Sequence, residues 1–427
     1  MLLALGLTFA VTILLGVPIA FCLGLSSFAA VLLAPNVPFR MIPERMVSAV
    51  DSFPLMAIPF FMLAGELMDM AGILSRLIAF AQALVGHIRG GLAHVTVITE
   101  MILSGVTGTA VGDATALGTT LMPAMEKEYG KDFAAAVVAS AASLGPLIPP
   151  SAAMIVYSYM SGGSVSVAAL FMAGVVPGVF MGLATMAMCY VMARRRGYAT
   201  RPGGISWAGA LRQVRRAFIV LLMPVVVLGG MVGGIFTATE AGAIAVAYAL
   251  LIGLFVTGEL KIRELPGALI RAGITTSVVI LLIALASSVT FLLTVSQVPS
   301  ALADAITGFS RNPTVFLTLV MVLLVVVGML LESNAAYIML VPIFHPIAVK
   351  LGIDPLHFGF VFVFNLVIGM LTPPVGVVLF VICGLAGMSV ERLVRAAWPF
   401  IALQFAVLFV CVYFPWTHMW FPRLLGY

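Results

Sequence analysis

Apolar residues in this chain do not alternate with polar ones. They run in stretches of about 20, long enough to cross the hydrocarbon core of a bilayer. The clearest lie at 2–33, 49–70, 166–193, 217–236, 239–257, 273–297 and 397–420. Backbone N–H and C=O groups in lipid must bond within their own segment, so each stretch predicts a helix. The two-residue alternation of an outer-membrane barrel is absent. The stretch that starts at Met1 lacks a basic n-region and is too long for a signal-peptide core, so it reads as a retained helix. Two blocks, about 90–163 and 313–387, differ from the rest, because polar, glycine- and proline-rich runs interrupt their helices.

The two blocks repeat each other. In the first, an apolar helix reaches SGVTGTAVGDAT (Ser104 to Thr115), turns into a second helix, and is followed by a third that breaks at LGPLIPPS (Leu144 to Ser151). In the second, a helix reaches LESNAA (Leu331 to Ala336), turns back, and is followed by one that breaks at IGMLTPPVG (Ile368 to Gly376). Pro149–Pro150 and Pro373–Pro374 are 224 residues apart, as are Gly145 and Gly369. Each block is preceded by a shorter, less apolar segment, 71–88 and 298–311, that could lie along the interface as an amphipathic arm. A duplicated re-entrant hairpin followed by a Pro-Pro-broken helix is the sequence mark of a transporter binding site.

Composition adds the solvent. Apolar residues make up 63% of the 427, and charged residues only 9%, against roughly 25% in a soluble domain. The predicted class is therefore an all-α, polytopic membrane protein. The net charge of +5 could suggest nucleic acid, but topology accounts for it. With the N-terminus inside and each hairpin returning to its own side, sixteen of the 21 Lys and Arg fall inside. Arg40, Arg45, Arg311, Lys350 and Arg423 fall outside. That bias follows the positive-inside rule and leaves no nucleic-acid surface to explain. It puts the C-terminus outside and enters the two hairpins from opposite faces, so the repeats are inverted. The loop from Arg194 to Arg216, with seven arginines, reads as a cytoplasmic linker. Cys22, Cys189, Cys383 and Cys411 are far apart in apolar segments and read as packing residues.

Non-helical backbone at membrane depth is tolerated only where it is buried or lines a wet cavity. If each tip meets its own broken helix, two candidate sites arise. Ser104, Gly105, Thr107 and Thr109 face Gly145 and Pro149 in the first. Glu332, Ser333 and Asn334 face Gly369, Thr372 and Pro373 in the second. Prolines free carbonyls in the preceding turn, and carbonyls with hydroxyls suit a hard cation such as Na+. Helix N-termini after the breaks, at Ser151 and Val375, suit a carboxylate; with hydroxyls and amides added, Ser151, Asn334, Asn365 and Thr372 are the candidate anion contacts. Any of these Ser and Thr could instead pack between helices. Asp113 reads as a cap of the hairpin's second arm or as an ion ligand, and Glu100 is ambiguous. Glu66 and Asp69 fall near the inner end of their helix. Glu240, at a helix start beside Thr237 and Thr239, reads as a helix-dipole or capping residue, with substrate contact as the alternative. No Lys or Arg lies at mid-membrane depth, so an anion relies on helix ends, bound cations, or a basic side chain reaching in from an edge.

Six motifs carry a resemblance. They are DSFPLMAIPFFMLAGELM (Asp51 to Met68), VGHIRGGLAHV (Val85 to Val95), SGVTGTAVGDATALG (Ser104 to Gly118), LGPLIPPSAAMIVY (Leu144 to Tyr157), GGIFTATEAGAIAV (Gly233 to Val246) and IDPLHFGFVFVFNLVIGMLTPPVGVVLFV (Ile353 to Val381). Over nearly its whole length the chain resembles the large membrane subunit of the tripartite ATP-independent periplasmic (TRAP) transporters. Gly112 departs from the alanine expected there, and LESNAA is a variable stretch. The resemblance implies an elevator-type transporter of the bacterial inner membrane, driven by Na+ and with no organic cofactor. It implies two partners, a small four-helix membrane subunit and a periplasmic substrate-binding protein, and a small organic anion such as a C4-dicarboxylate or sugar acid as cargo. It divides the chain into scaffold helices 1–70, an arm 71–89, a transport unit 90–163, and scaffold helices 164–297 containing the linker 194–216. A second arm 298–311, a second transport unit 312–387 and a last scaffold helix 388–427 complete it.

Two rival readings stay in view. A stand-alone sodium–dicarboxylate carrier would share the inverted hairpins. An intramembrane enzyme is opposed by the motifs: Gly112–Asp113 lacks the first glycine of a GxGD pattern, and no HExxH or nucleophile elbow is present. No GxxxxGK[ST] loop is present either, so this chain hydrolyses no ATP.

Overall fold

The computed structural model describes residues 1–34, 37–198, 207–309 and 312–427. Arg201 to Gly204 of the expected linker, and Arg311, lie outside the described residues. Every element among the described residues is helical, and six are long and apolar enough to cross a membrane.

The stretch 2–33, expected as one crossing, is two helices, α1 (Leu2–Leu14) and α2 (Ile19–Leu32). Gly16 between them takes a left-handed φ of 76°, and Pro18 stands at the N-cap of α2, so the helix stops and restarts. Each half is about 20 Å long, too short to cross alone, and α1 packs along α2. Helix α3 (Met41–Val50) precedes a 3-10 turn, Phe53–Met56, that leads into α4 (Ala57–Met70). The crossing expected from 49 therefore begins at 53. Helix α5 (Ile73–Val85) buries Ile73, Leu74, Leu77, Ala81 and Val85 on one face.

The first hairpin is α6 (Gly91–Thr107) and α7 (Ala110–Thr120), continued by α8 (Met122–Tyr129). Its broken helix is α9 (Lys131–Ala142) and α10 (Ala152–Met160). Long helices α11 (Val167–Arg195), α12 (Trp207–Val232), α13 (Ala238–Leu251) and α14 (Leu265–Val295) follow. The capping role read for Glu240 is present. Thr237 N donates to Glu240 Oε2 at 2.8 Å, and Glu240 N donates back to Thr237 Oγ1 at 3.3 Å. Helix α15 (Val298–Phe309) leads to the second hairpin, α16 (Pro313–Leu330) and α17 (Ser333–Lys350). The second broken helix is α18 (Pro355–Gly369) and α19 (Val377–Ala386). The stretch expected at 397–420 is α20 (Val390–Tyr413) plus a separate α21 (Trp416–Leu424).

A helix that is apolar on every side must be surrounded, and the broken helices are the centre of the molecule. Phe133 to Ala142 of α9 and His357 to Gly369 of α18 are buried without exception. Each hairpin's first arm packs on its own broken helix, α6 on α9 and α16 on α18. The halves after the breaks cross over, α10 onto α17 and α19 onto α7. Helices α11 and α20, which the sequence grouped with the scaffold, pack against this body: α11 on α6 and α18, α20 on α9. A second body forms where α14 meets α2, α3 and α4, and α13 meets α4.

Candidate functional site

Both tips meet their own breaks. At the first, Gly108 has a left-handed φ of 62°, and a Cβ on it would sit 2.5 Å from the Pro150 carbonyl oxygen. A Cβ on Gly145 would lie 2.3 Å from Oδ2 of Asp113 and 3.1 Å from the Thr109 backbone. Only glycine lets the break close on the tip this tightly. At the second, Gly376 N donates to the Met329 carbonyl at 3.1 Å, and a Cβ on Gly369 would stand 2.6 Å from Cα of Gly328. Both Pro-Pro bonds, 149–150 and 373–374, are cis.

The side chains of the two junctions differ. Asp113 is fully buried on α7. It does not stand at the helix N-cap, which is Thr109; Oδ1 accepts instead from the Thr107 hydroxyl across the tip, at 2.5 Å. Its Oδ2 accepts no hydrogen bond from a hydroxyl or N–H. Glu100, also fully buried, lies beside it on α6, near enough to share a proton. Glu332 is the N-cap of α17, accepting from Ala335 N at 3.3 Å and from Asn334 Nδ2 at 2.9 Å.

Several predicted ligands are occupied within their own segments. Ser104 donates to the Glu100 carbonyl. Ser151 donates to the Pro146 carbonyl at 2.7 Å and Thr372 to that of Ile368 at 2.8 Å. Gly105 packs against Pro224, near the Pro149 carbonyl. Asn365 does not reach the site: its Nδ2 donates to the Met321 carbonyl at 3.2 Å and ties α18 to α16. Helical phase turns it away from the tips.

One cavity of about 810 Å³ joins the two junctions. Thr107 to Asp113 of the first tip, Glu332 to Ala335 of the second, Pro146 and Ala152 at the first break, and Met370 and Val377 at the second all line it. Thus Thr107, Thr109, Asp113, Glu332, Ser333 and Asn334 share one space. Ser104, Ser151, Thr372 and Asn365 do not border it. The opposite wall is the second body: Gly65, Glu66 and Asp69 of α4, Ile73 of α5, and Ala272 and Thr275 of α14.

Some site-building residues escaped the sequence reading. Gln404 of α20 donates to the Ser143 hydroxyl at 2.8 Å and holds the first broken helix. His345 of α17 bonds Tyr157 of α10 through Nδ1 at 2.8 Å and Ser164 through Nε2 at 2.7 Å, joining the two repeats. A polar residue in an apolar helix was the available signal, but its partner lies more than 180 residues away.

Known proteins place this architecture. The solved transporter YdaH of Alcanivorax borkumensis superposes with a TM-score of 0.65 over 99% of this chain and 100% of its own, at 16% identity, which establishes the fold alone. The sialic acid TRAP transporter large permease protein SiaM of Vibrio cholerae is 37% identical over 425 residues, covering 99% of this chain and 98% of that one. The isethionate TRAP transporter permease protein DctMQ of Oleidesulfovibrio alaskensis is 39% identical over 414 residues, 97% of this chain but 65% of the longer relative. The family described as the tripartite ATP-independent periplasmic transporter, DctM component, matches residues 7–417. By that match and those identities, this chain belongs to the DctM family, the large permease subunits of TRAP transporters.

Proposed function

We propose that this subunit carries a small organic anion inward across the bacterial inner membrane, driven by Na+, by elevator movement of the hairpin body against the α2–α4–α13–α14 body. The observation that carries the proposal is the single cavity walled by both tips, at which the buried Asp113 has an Oδ2 that no hydroxyl or N–H bonds, with the Glu100 carboxyl beside it. A buried carboxylate is expensive unless a cation or donor meets it. Na+ at the first junction, held by Asp113, the hydroxyls of Thr107 and Thr109 and the carbonyls around Gly145 and Pro149, would meet that need. The anion then binds between the tips. At the second junction Gly369 and Pro373 supply backbone only, and Glu332, Ser333 and Asn334 supply the polar wall.

Membership of a family of transport components removes the enzyme reading. The chain is a multi-pass membrane subunit. The DctMQ relative is longer than this chain and is named as a permease protein, which supports a small membrane component working with the large one. The family description supports a periplasmic binding protein as the third part. Relatives named for sialic acid and isethionate support an organic acid as cargo. The packing of the short α1 against α2 supports an N-terminus on the side of Arg40, read here as periplasmic together with the C-terminus, as an alternative to the cytoplasmic N-terminus of a single crossing at 2–33.

Proteoliposomes with the chain, its small partner and the binding protein should accumulate the anion under an inward Na+ gradient without ATP. Equal uptake with K+ in place of Na+ would overturn the coupling. Uptake unaffected by omitting the binding protein would favour a stand-alone carrier.

A further inference from the structure

The cavity is electrostatically hostile to an anion. Its wall carries four acidic side chains, Glu66, Asp69, Asp113 and Glu332, and no Lys or Arg. The Na+ proposed at the first tip would offset Asp113, and the α17 N-terminus meets Glu332. Glu66 and Asp69 belong to α4, on the wall that also holds Ala272 and Thr275 of α14.

Arg271 stands at that wall. It precedes Ala272 on α14 and lies one helical turn before Thr275, and both of these line the cavity. Residues four apart share a helix face. Nε of Arg271 donates to Oε2 of Glu66 at 2.8 Å, and Nη2 reaches Sδ of Met70 at 3.1 Å. The side chain is 52% exposed and Glu66 31%. A guanidinium has five N–H donors, Glu66 takes one, and a thioether is a weak acceptor. The remaining donors form a planar fork suited to an oxyanion. Among the described residues, no other basic side chain is ion-paired to the cavity wall.

We infer that Arg271 is a specificity-determining contact for the charged group of the transported anion, and that Glu66 competes with the anion for it. The inference rests on the reading of the cavity as the anion's path. With the cavity empty, Glu66 holds the guanidinium. An anion at the α4–α14 mouth takes the fork, and Glu66 turns to water. When the anion leaves, the ion pair re-forms, so the mouth is never left with two uncompensated carboxylates against the cargo.

A purely structural ion pair would fasten α4 to α14, and losing either partner would act in the same direction. Competition predicts opposite directions. The test uses proteoliposomes containing the chain, its small partner and the binding protein. They are preloaded with graded concentrations of radiolabelled N-acetylneuraminate, succinate or isethionate, and efflux is read as half-saturation and maximal rate. Arg271→Gln should raise the half-saturating anion concentration about tenfold, the loss of one charge-assisted contact. Arg271→Lys should raise it about threefold, since the charge stays and the fork is lost. Glu66→Gln should lower it about threefold by removing the competitor. Half-saturation by Na+ should stay within about twofold in all three, because the tips are untouched. Shifts of the same sign in Arg271→Gln and Glu66→Gln, or an unchanged half-saturation in Arg271→Gln, would overturn the assignment. Should Arg271→Gln fail to insert, the sign of the Glu66→Gln shift decides alone. Wild-type vesicles that move none of the three anions with Na+ would instead refute the proposed function, which separates the two failures.

Discussion

The two tip–break junctions share a backbone plan and differ in where their carboxylates go. At the first, Asp113 is buried beside Glu100, bridges the tip through Thr107, and turns Oδ2, which no hydroxyl or N–H bonds, toward Gly145. At the second, Glu332 spends its oxygens on capping its own helix, on Ala335 N and Asn334 Nδ2. The glycines differ in the same way. A Cβ on Gly145 would strike the Asp113 carboxylate, while one on Gly369 would strike the Gly328 backbone. Inverted duplication thus conserves the architecture and leaves each copy free to specialise. On the proposed function the first junction receives the cation, while the second holds a helix start at the cavity wall.

Substitutions that probe this contrast rank by expected effect. Gly369→Ala should be the most damaging to the fold, because the clash is backbone to backbone: about 2–3 kcal/mol of lost stability, the usual cost of overpacking, visible as a lower unfolding temperature in detergent. Gly145→Ala should cost less stability but raise half-saturation by Na+, since it displaces a carboxylate; equal profiles for the two would erase the contrast. Thr107→Val should raise the half-saturating Na+ concentration about tenfold through loss of a hydrogen bond to a charged group. Glu332→Gln should change it about threefold or less, because an amide still accepts from the helix amides. Ser104→Ala and Thr372→Ala should fall within about twofold, since both hydroxyls are spent on carbonyls one turn back. A tenfold loss in either would return them to the ligand set.

The last point is where sequence and structure part. The spacing of Pro149–Pro150 and Pro373–Pro374 told the order of hairpin and break, because proline and glycine punctuate a helix locally. The capping box at Thr237 and Glu240 was legible for the same reason. The direction of a hydroxyl was not. Ser104 and Thr107 are three residues apart on one helix, yet only Thr107 reaches across the tip. Asn365 is a candidate anion contact in the sequence, but the packing of α18 on α16 turns it to Met321. The break at Gly16–Val17–Pro18 carries glycine and proline, but it lies inside an apolar run long enough to read as one crossing. The pairing of Glu66 with Arg271, 205 residues apart, has no local signature at all.

The account turns on Asp113 as the charge that recruits the coupling cation. Uptake by the reconstituted complex, measured against Na+ concentration with Asp113→Asn and Glu332→Gln side by side, tests it most directly. Asp113→Asn should raise half-saturation by Na+ at least about thirtyfold, the scale of one lost buried charge contact, or abolish Na+ dependence, while Glu332→Gln stays near wild type. An Asp113→Asn transporter with wild-type Na+ dependence, or a larger loss at Glu332 than at Asp113, would contradict it.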